Sequence, residues 1–382
     1  MTRRVLFLPQ NDNHGRTTAL LAAELRGYGV EPAWLNLEGV FHQPLGGLAS
    51  AVPAIDSGLQ TARPFYVCPP WQQAAVVLRA LPRVGSWVAG FDQVVAFNDG
   101  ALQRAVLAAA ARQGSTTNLL IDAMITWPTQ APTIRTWLRD LLKRVGRLAD
   151  RSYLSCLFPS DVGLFPVDRV FVPGIHSARC LSARGAKAGS IVVAGLPRSQ
   201  HSPAPELPSC VRNVLYLTGA FRWHDLPDVA AAQLRDVKAL AGLCRQLGIN
   251  LTVRCHPRDD RRQYTDLDLH VSDPNEGMDS CIARHELVLS IVSTGLIDAI
   301  LLGRPARMFA TGAAWQAFRN AFAADPAFKP ITSIVELSRE LTAYVAAVDP
   351  RELARQRERL PTLVATTGQT AVQRIVLTLL QG

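Results

Sequence analysis

The feature that most constrains this chain is an alternation that runs through most of its length. Short runs rich in Val, Ile and Leu are followed by longer stretches in which Ala and Leu recur at helical spacing. Parallel strands need a long crossover between them, and that crossover is usually a helix. The alternation is therefore typical of β-α-β units. We predict an α/β protein built on Rossmann-like, doubly wound parallel sheets.

The alternation is interrupted once, by a segment with the composition of an exposed linker. Residues 197–208 contain four prolines together with Ser, His and Gln. A chain of 382 residues is also long enough for two hydrophobic cores. We predict two Rossmann-like domains over residues 1–198 and 209–348, a linker over 199–208, and C-terminal helices over 349–382 that pack back across both domains.

The pattern also places the individual elements. Predicted strands in the first domain cover 5–8, 31–37, 93–97, 118–121, 169–172 and 190–195, with helices over 18–28, 71–81, 101–113 and 133–149. Predicted strands in the second domain cover 211–218, 251–255, 269–272, 287–290 and 306–309, with helices over 229–247, 278–284, 294–302, 333–348 and 350–380. Parallel sheets bind ligands where their strands end, so residues that follow strands are the candidates for function.

Composition narrows the class of protein. A formal net charge of +9 favours anionic ligands, but no nucleic-acid-binding motif is present, so we expect no nucleic-acid partner. No stretch approaches the roughly 20 apolar residues that span a bilayer. Seven cysteines without close pairing indicate reduced thiols in a cytoplasm, and no metal-ligand spacing is present. We expect a cytoplasmic protein, with peripheral association at an inner membrane kept as a hypothesis.

The most informative strand end is that of the segment 251–258. The predicted strand stops at His256-Pro257, because proline has no N–H for the sheet ladder. His256 is thereby presented between Arg254 and Arg258, an arrangement that favours phosphate. A simple turn in which His256 bonds a neighbouring carbonyl is the structural alternative.

A second strand end carries hydroxyl groups. The apolar run 287–292 leads into Ser293-Thr294-Gly295 at the start of an apolar helix. Backbone N–H groups and hydroxyls at a helix start can bind an anion. Ordinary helix capping by Ser293 uses the same atoms, so the sequence alone leaves both interpretations open.

Together these two segments resemble a set of known enzymes. His256-Pro257 and Ser293-Thr294 are similar to the HP and S-S/T motifs of bacterial sialyltransferases and polysialyltransferases, with related motifs in capsule Kdo transferases. The resemblance covers residues 211–309 and is only architectural elsewhere. It implies a GT-B fold, in which His256 contacts the donor phosphate and assists its departure, and Ser293 and Thr294 bind the same phosphate.

The resemblance also implies a catalytic base in the first domain. The families have an acidic D/E-D/E-G motif at a strand end, and the matching place here is Ile121-Asp122-Ala123. This chain departs from the pattern, because Ile121 stands where the base is often assigned and Ala123 replaces the glycine. We predict Asp122 as the base that deprotonates the acceptor hydroxyl, with Asp99, in Asn98-Asp99-Gly100, as the second candidate and a helix cap as its structural alternative.

Further loops complete the predicted site. The polar loop after the first strand is predicted to face the acceptor. Its candidate residues are Asn11, Asp12, Asn13 and His14, with Asp99 nearby. In the second domain, Gly219 permits close backbone approach, Arg222 is a second phosphate ligand, and Glu276 accepts from ribose hydroxyls. Trp223 is left open between a core residue and a ligand platform.

These features lead to one leading hypothesis. It is a bacterial, metal-independent and inverting glycosyltransferase of surface-polysaccharide biosynthesis that moves a sialic-acid-like or Kdo-like sugar from a CMP-activated donor to a glycan. No cofactor beyond the donor is expected, and the oligomeric state is left open. The alternatives are a UDP- or GDP-sugar transferase, a CDP-glycerol-type transferase, a UDP-sugar 2-epimerase, and a nucleotide- or glycan-binding protein without turnover.

Overall fold

The structure is a computed structural model of the chain. It describes residues 2–43, 45, 48–123, 125, 134–148, 152–158, 160–197, 208–267, 269–319, 328 and 330–381. The chain forms two compact units. Unit 1 comprises Met1–Ile125, Pro132–Gln200 and Thr362–Gly382, and unit 2 comprises Thr126–Ala131 and His201–Pro361. Except for Pro208, the predicted linker at 199–208 lies outside the described residues.

Unit 1 is built on a seven-stranded sheet whose paired strands are all parallel. Its strands are β1 (Arg4–Leu8), β2 (Glu31–Asn36), β3 (Ala54–Asp56), β4 (Gln93–Ala96), β5 (Thr116–Leu120), β6 (Arg169–Val172) and β7 (Ile191–Val193), in the order β3-β2-β1-β4-β5-β6-β7. The sequence analysis missed β3, because this edge strand has only three residues and none is fully buried.

Helices cover the sheet of unit 1. They are α1 (Asp12–Gly27), α2 (Glu38–Phe41), α3 (Leu48–Ala51), α4 (Pro70–Val88), α5 (Ala101–Arg112), α6 (Ile134–Leu148) and α7 (Ile175–Ala183), with short 3-10 helices at Phe65–Val67, Tyr153–Leu157 and Ala188–Ser190. Helix α1 begins earlier than predicted, because Asn11 caps it by accepting from the His14 N–H. The predicted polar loop is therefore wrong from Asp12 onward.

Unit 2 repeats the architecture with a five-stranded parallel sheet. Its strands are β8 (Asn213–Leu217), β9 (Asn250–Arg254), β10 (His270–Val271), β11 (Leu287–Ser290) and β12 (Ala306–Met308), in the order β10-β9-β8-β11-β12. The helices are α8 (Pro227–Leu247), α9 (Arg262–Thr265), α10 (Met278–Ala283), α11 (Gly295–Leu301), α12 (Gly312–Phe318), α13 (Ile334–Ala346) and α14 (Pro350–Leu363). Helix α8 has the expected signals, with Pro227 at its start and left-handed Gly248 at its end.

The last segment of the chain returns to unit 1. The helix predicted over 350–380 divides into α14 and α15 (Gly368–Leu380), and Gly368, the first residue of α15, has a φ of 56°. Helix α15 places Val372, Ile375 and Val376 in the core of unit 1, whereas α14 stays with unit 2 through the buried pair of Glu352 and Arg307. The prediction of C-terminal helices that pack back is confirmed.

Two further observations bear on the class of protein. Within the described ranges, no helix combines the length and the apolar character that crossing a membrane requires. All seven cysteines are present as free thiols.

Candidate functional site

In unit 2 three loops leave the carboxyl edge of the sheet side by side. Leu217 of β8 pairs with Arg254 of β9 and with Ser290 of β11, so the three strands end at one level. The chain runs from β8 through β9 to β10 on one side, and then crosses to β11 and β12 on the other. The winding reverses between β8 and β11, which is where open parallel sheets bind ligands. The loops after these three strands form the candidate site of unit 2.

His256 is fixed at this edge through its backbone and its ring. Its backbone N–H donates to Thr218 Oγ1 at 2.9 Å, and its ring Nδ1 accepts from the Arg258 backbone N–H at 3.1 Å. Because Nδ1 is an acceptor, the neutral ring carries its proton on Nε2. The residue is exposed, so Nε2–H is the ring atom that can donate to a ligand.

The His256 ring is neutral at physiological pH. Although the residue has an exposed outer surface, the protein atoms packed around the imidazole lower its pKa to about 4, and the charges of Arg258 and His224 act in the same direction. A neutral imidazole donates one hydrogen bond and adds no positive charge. Positive charge for a phosphate at this edge is therefore supplied by arginine, with Arg258 beside His256 and Arg222 exposed in the loop after β8.

Arg258 joins the loop after β9 to the loop after β8. Its guanidinium carbon lies 5.2 Å from the centroid of the Trp223 ring, a cation–π contact that orients the side chain. Burial, followed by the charge of Arg258, lowers the pKa of the neighbouring His224. Trp223 is thus a platform for a cation at the site. His224 is not among the predicted site residues, and its position after the central strand β8 is the signal that points to it.

Arg254 and Glu276 have a different role from the predicted one. The two terminal nitrogens of Arg254 donate to the carbonyls of Asp273 and Glu276, at 3.4 and 2.6 Å. The Glu276 carboxylate pairs with Arg284 at 2.6 Å. Because these groups bond one another, the structure gives Arg254 and Glu276 the task of holding the loop after β10, in place of the predicted phosphate and ribose contacts.

The hydroxyl segment lies at the start of α11, as predicted. The Gly295 N–H donates to Ser293 Oγ at 3.1 Å, and a hydroxyl that accepts one hydrogen bond can still donate another. Thr294 is the N-cap residue, and its side chain makes no capping hydrogen bond. Helix α11 has only seven residues, so the hydroxyls of Ser293 and Thr294 matter more here than a helix dipole does.

Gly295 is a packing requirement of this segment. A Cβ atom at this position would lie 2.4 Å from Leu217 Cδ1 and 3.3 Å from Ser293 Oγ. The glycine lets the start of α11 approach the end of β8, and thereby positions Ser293 beside the switch point. Gly295 therefore has a packing role, and its predicted contact with a phosphate stays a prediction.

We expect Gly295→Ala to lower the free energy of unfolding by about 1–3 kcal/mol, the usual cost of overpacking a core. Gly242→Ala is the matched control, because it also lies in a helix and nothing lies within 4 Å of its added Cβ. Because alanine has a higher helix propensity than glycine, Gly242→Ala should stabilise the fold by about 0.5–1 kcal/mol. Urea unfolding of both variants measures the difference, and equal stability would contradict the packing role.

The loop after β8 is fixed by a buried amide. The Gly219 N–H donates to Gln233 Oε1 at 2.7 Å, and an added Cβ at Gly219 would lie 2.6 Å from the Phe221 ring. The predicted approach of a ligand to the Gly219 backbone is therefore replaced by internal packing. Arg222 is exposed in the same loop, so its predicted phosphate contact stays a prediction.

In unit 1 the structure brings together two predicted residues that are far apart in sequence, His14 and Asp122. His14 Nε2 lies 3.5 Å from Asp122 Oδ1, and their side chains are 7% and 13% exposed. The His14 ring stacks on Phe97 with 4.6 Å between centroids, and Asn11 fixes the His14 backbone. The site therefore contains a half-buried carboxylate next to an imidazole, at the carboxyl ends of β1, β4 and β5.

The hydrogen bonds of His14 define how this pair can act. His14 Nδ1 accepts from the Gln10 backbone N–H at 3.3 Å, so a neutral ring points Nε2–H toward Asp122. An imidazole that donates to a carboxylate orients it and leaves the carboxylate as the proton acceptor. The geometry supports the predicted base, Asp122, with His14 as a positioning residue.

The other predicted acceptor residues of unit 1 make different contacts. Asp12 pairs with Arg16 at 2.7 Å in the first turn of α1, and Asn13 is exposed in the same turn. Asp99 is 5% exposed, and its Oδ2 accepts from the backbone N–H groups of Gly163 and Phe165, both at 3.1 Å. The prediction for Asp99 is corrected, because this carboxylate closes an internal loop and burial raises its pKa.

Among the described residues, no group of three or more His, Cys, Asp or Glu side chains is arranged to hold a metal ion. The predicted residues that the structure brings together are the His14–Asp122 pair in unit 1 and, at one sheet edge of unit 2, His256 and Arg258 with the hydroxyls at the start of α11.

Comparison with known proteins gives matches in structure alone. No protein-family model and no curated protein matches the chain. A putative UDP-N-acetylglucosamine 2-epimerase from Listeria monocytogenes matches with a TM-score of 0.65 and 14% identity, over 99% of this chain and 96% of that one. The glycotransferase of kitacinnamycin matches with a TM-score of 0.61 and 15% identity, over 100% and 99%. The UDP-GlcNAc 2-epimerase from Neisseria meningitidis, bound to UDP-GlcNAc, matches with a TM-score of 0.59 and 14% identity, over 99% and 100%.

At these identities the likeness shows the fold. The chain has two parallel-sheet α/β domains of the GT-B type, so the predicted fold class is confirmed. The matching structures include both epimerases and glycosyltransferases. The predicted likeness to sialyltransferases and Kdo transferases stays a prediction.

Proposed function

We propose that this chain is a glycosyltransferase that moves a sugar from a nucleotide-activated donor to an acceptor hydroxyl. The observation that carries the proposal is the cluster at the switch point of unit 2. There His256 is neutral and exposed, its Nε2–H faces outward, and Arg258 lies beside it. Ser293 and Thr294 follow β11, which ends at the same edge of the sheet. Hydrogen-bond donors together with one fixed cation suit a phosphate whose negative charge grows as the sugar departs.

In this mechanism the residues of unit 2 stabilise the leaving group. His256 donates through Nε2–H to a phosphate oxygen, and the Arg258 guanidinium, oriented by Trp223, neutralises charge. The hydroxyls of Ser293 and Thr294 donate to the same phosphate. Because the His256 pKa lies near 4, the ring assists by donating a hydrogen bond and is not a charged acid at neutral pH.

The residues of unit 1 would activate the acceptor. Asp122, oriented by His14, removes the proton of the acceptor hydroxyl as that oxygen attacks the anomeric carbon. One new C–O bond forms while the bond from sugar to phosphate breaks. A single displacement of this kind inverts the anomeric centre.

For the donor we propose a CMP-linked acidic sugar of the sialic-acid or Kdo type. Its support is the resemblance of His256-Pro257 and Ser293-Thr294 to the motifs of those transferases, together with a net charge of +9 that favours an acidic donor or glycan. A glycan acceptor of the cell surface follows from the same resemblance.

A UDP-sugar enzyme is the second candidate, and the structural comparisons favour it. The matching structures include UDP-GlcNAc 2-epimerases, one of them bound to UDP-GlcNAc. An epimerase would convert UDP-GlcNAc without any acceptor, whereas a transferase needs one. The two candidates therefore differ in a product that can be measured.

The first test is nucleotide preference. We expect CMP at a hundredfold excess over its dissociation constant to stabilise unit 2 by about 2.7 kcal/mol, which is roughly 5–10 °C in melting temperature. UDP and GDP at the same concentration should raise the melting temperature less. Thermal shift measures this, and a larger shift with UDP would replace the CMP donor by a UDP-sugar.

The second test is turnover. CMP-sialic acid, CMP-Kdo and UDP-GlcNAc are each incubated with the protein, with and without a glycan acceptor, and nucleotide release is followed. Release that rises with acceptor supports the transferase. UDP-ManNAc formed from UDP-GlcNAc alone would establish the epimerase, and binding without any product would identify a binding protein.

A further inference from the structure

Helix α6 of unit 1 exposes apolar side chains to solvent, unlike a typical surface helix. A surface helix usually turns its apolar stripe to the core and its charges to solvent. Here five large apolar residues are exposed, and their exposed fractions are 64% for Trp137, 49% for Leu138, 41% for Leu141, 38% for Leu142 and 41% for Val145. Their spacing of i, i+1, i+4, i+5 and i+8 places all five on one side of the helix. We call this side the α6 apolar face.

The opposite side of α6 is held against unit 1 by polar and small residues. Lys143 is buried, and its Nζ donates to Asp161 Oδ1 at 2.7 Å and to Asp140 Oδ1 at 3.3 Å. Gly146 packs so closely that an added Cβ would lie 2.7 Å from Phe158 Cβ. A buried ion pair and a glycine contact fix the helix orientation, so the apolar face is held outward by the fold.

The exposed surface extends beyond the helix. The adjacent 3-10 helix Tyr153–Leu157 leaves Leu154 and Leu157 57% and 47% exposed. Scattered exposed apolar residues are normal, but several on one face mark a site of interaction. Something must cover this face for its orientation to be favourable.

We propose that the α6 apolar face docks on a bilayer surface that contains anionic phospholipid. A Trp and several Leu on one side of a helix that is also rich in basic residues are features of helices that lie in the membrane interface. Besides the ion-paired Lys143, the sequence of α6 contains Arg135, Arg139, Arg144 and Arg147 against the single acid Asp140, and Arg144 is exposed. This surface would bring unit 1, with its predicted acceptor residues, to the membrane, and it does not depend on the nucleotide chemistry proposed above.

The same charges distinguish a bilayer from a second copy of this chain. Two copies joined through α6 would bring both sets of arginines together, and like charges across an interface oppose association. Anionic headgroups instead attract each basic residue near the surface. Charge complementarity therefore favours the bilayer.

The test is co-sedimentation of the full chain with phosphatidylcholine vesicles, with and without phosphatidylglycerol. The variant is Trp137→Gln/Leu141→Gln. Trp71→Gln is the matched control, because Trp71 is 68% exposed on α4 of the same unit. We expect the wild type to bind strongly to vesicles that contain phosphatidylglycerol, and this binding to fall with added salt. The partition coefficient should be about tenfold lower for the double variant and unchanged for Trp71→Gln.

Circular dichroism and thermal unfolding establish that the variants fold, which is expected because the replaced side chains are exposed. Equal sedimentation of the double variant and the wild type would overturn the proposal, as would no sedimentation of the wild type with either vesicle. Analytical ultracentrifugation gives the remaining outcome. A dimer of the wild type that the double variant lacks would assign the face to a second copy and would also overturn the proposal.

Discussion

His256→Ala is expected to lower kcat by about 10²–10³-fold, the usual effect of removing one hydrogen-bond donor to a developing negative charge. The reason is local, because His256 Nε2–H is the ring donor that its backbone contacts leave facing outward. Nucleotide affinity should fall much less, since a donor to the departing phosphate acts mostly in the transition state. Steady-state kinetics with saturating acceptor separates kcat from KM.

Two variants sharpen this test. His270→Ala is the matched control, because His270 is exposed in the same unit but begins β10 at the opposite edge of the sheet. His256→Gln keeps an N–H donor and should recover part of the lost rate. Unchanged turnover in His256→Ala would remove this residue from the mechanism.

The protonation state of His256 can be measured directly. Nitrogen-resolved NMR should show a neutral ring with its proton on Nε2, which becomes charged only as pH falls through about 4. The sign follows from a pKa lowered below its usual value, because the protonated form is then disfavoured until the solution is more acidic. A midpoint near 6.5 or a proton on Nδ1 would contradict the role described here.

Asp122→Asn is expected to lower kcat by about 10²–10⁴-fold, the usual contribution of a positioned general base. An amide keeps the shape of the side chain and its place beside His14 but cannot accept the proton of the acceptor. Nucleotide affinity should stay close to that of the wild type, because Asp122 lies in unit 1 and the proposed phosphate ligands lie in unit 2. The diagnostic measurement compares transfer to acceptor with slow hydrolysis of the donor by water.

Asp99→Asn is the control for this assignment. Asp99 is buried and binds two backbone N–H groups, so its replacement should alter the free energy of unfolding and leave turnover of the folded enzyme unchanged. If Asp99→Asn abolishes transfer in a folded protein while Asp122→Asn does not, the base has been assigned to the wrong carboxylate. We expect the kcat of His14→Gln to lie between those of Asp122→Asn and Asp99→Asn, because a positioning residue acts only through Asp122.

The fold was largely predictable because its signals are local. Short apolar runs separated by amphipathic helices indicate a parallel sheet. Helix α8 begins at Pro227 and ends before Gly248, within two residues of the predicted bounds. The failures have equally local causes. The strand β3 is too short to produce a pattern, and α1 was started too late because Asn11, an ordinary cap residue, stands among other polar residues.

The candidate site was only partly predictable. His256 and Ser293 follow strands, and following a strand is visible in the sequence. The partners of a side chain are not visible there. Arg254 was expected to bind phosphate because it is charged and near His256, but its donors reach the carbonyls of Asp273 and Glu276. A long side chain at a strand end can turn to either side, and only packing decides which.

What the sequence determined by itself is the set of elements and the strand ends that carry polar residues, because backbone propensity and hydrophobic periodicity act over a few neighbours. What the tertiary structure decided is which of those residues meet. Asp122 lies beside His14 while Asp99 is buried, and α6 turns Lys143 inward and Trp137 outward. These outcomes depend on contacts between residues distant in the chain, whose energies no local pattern contains.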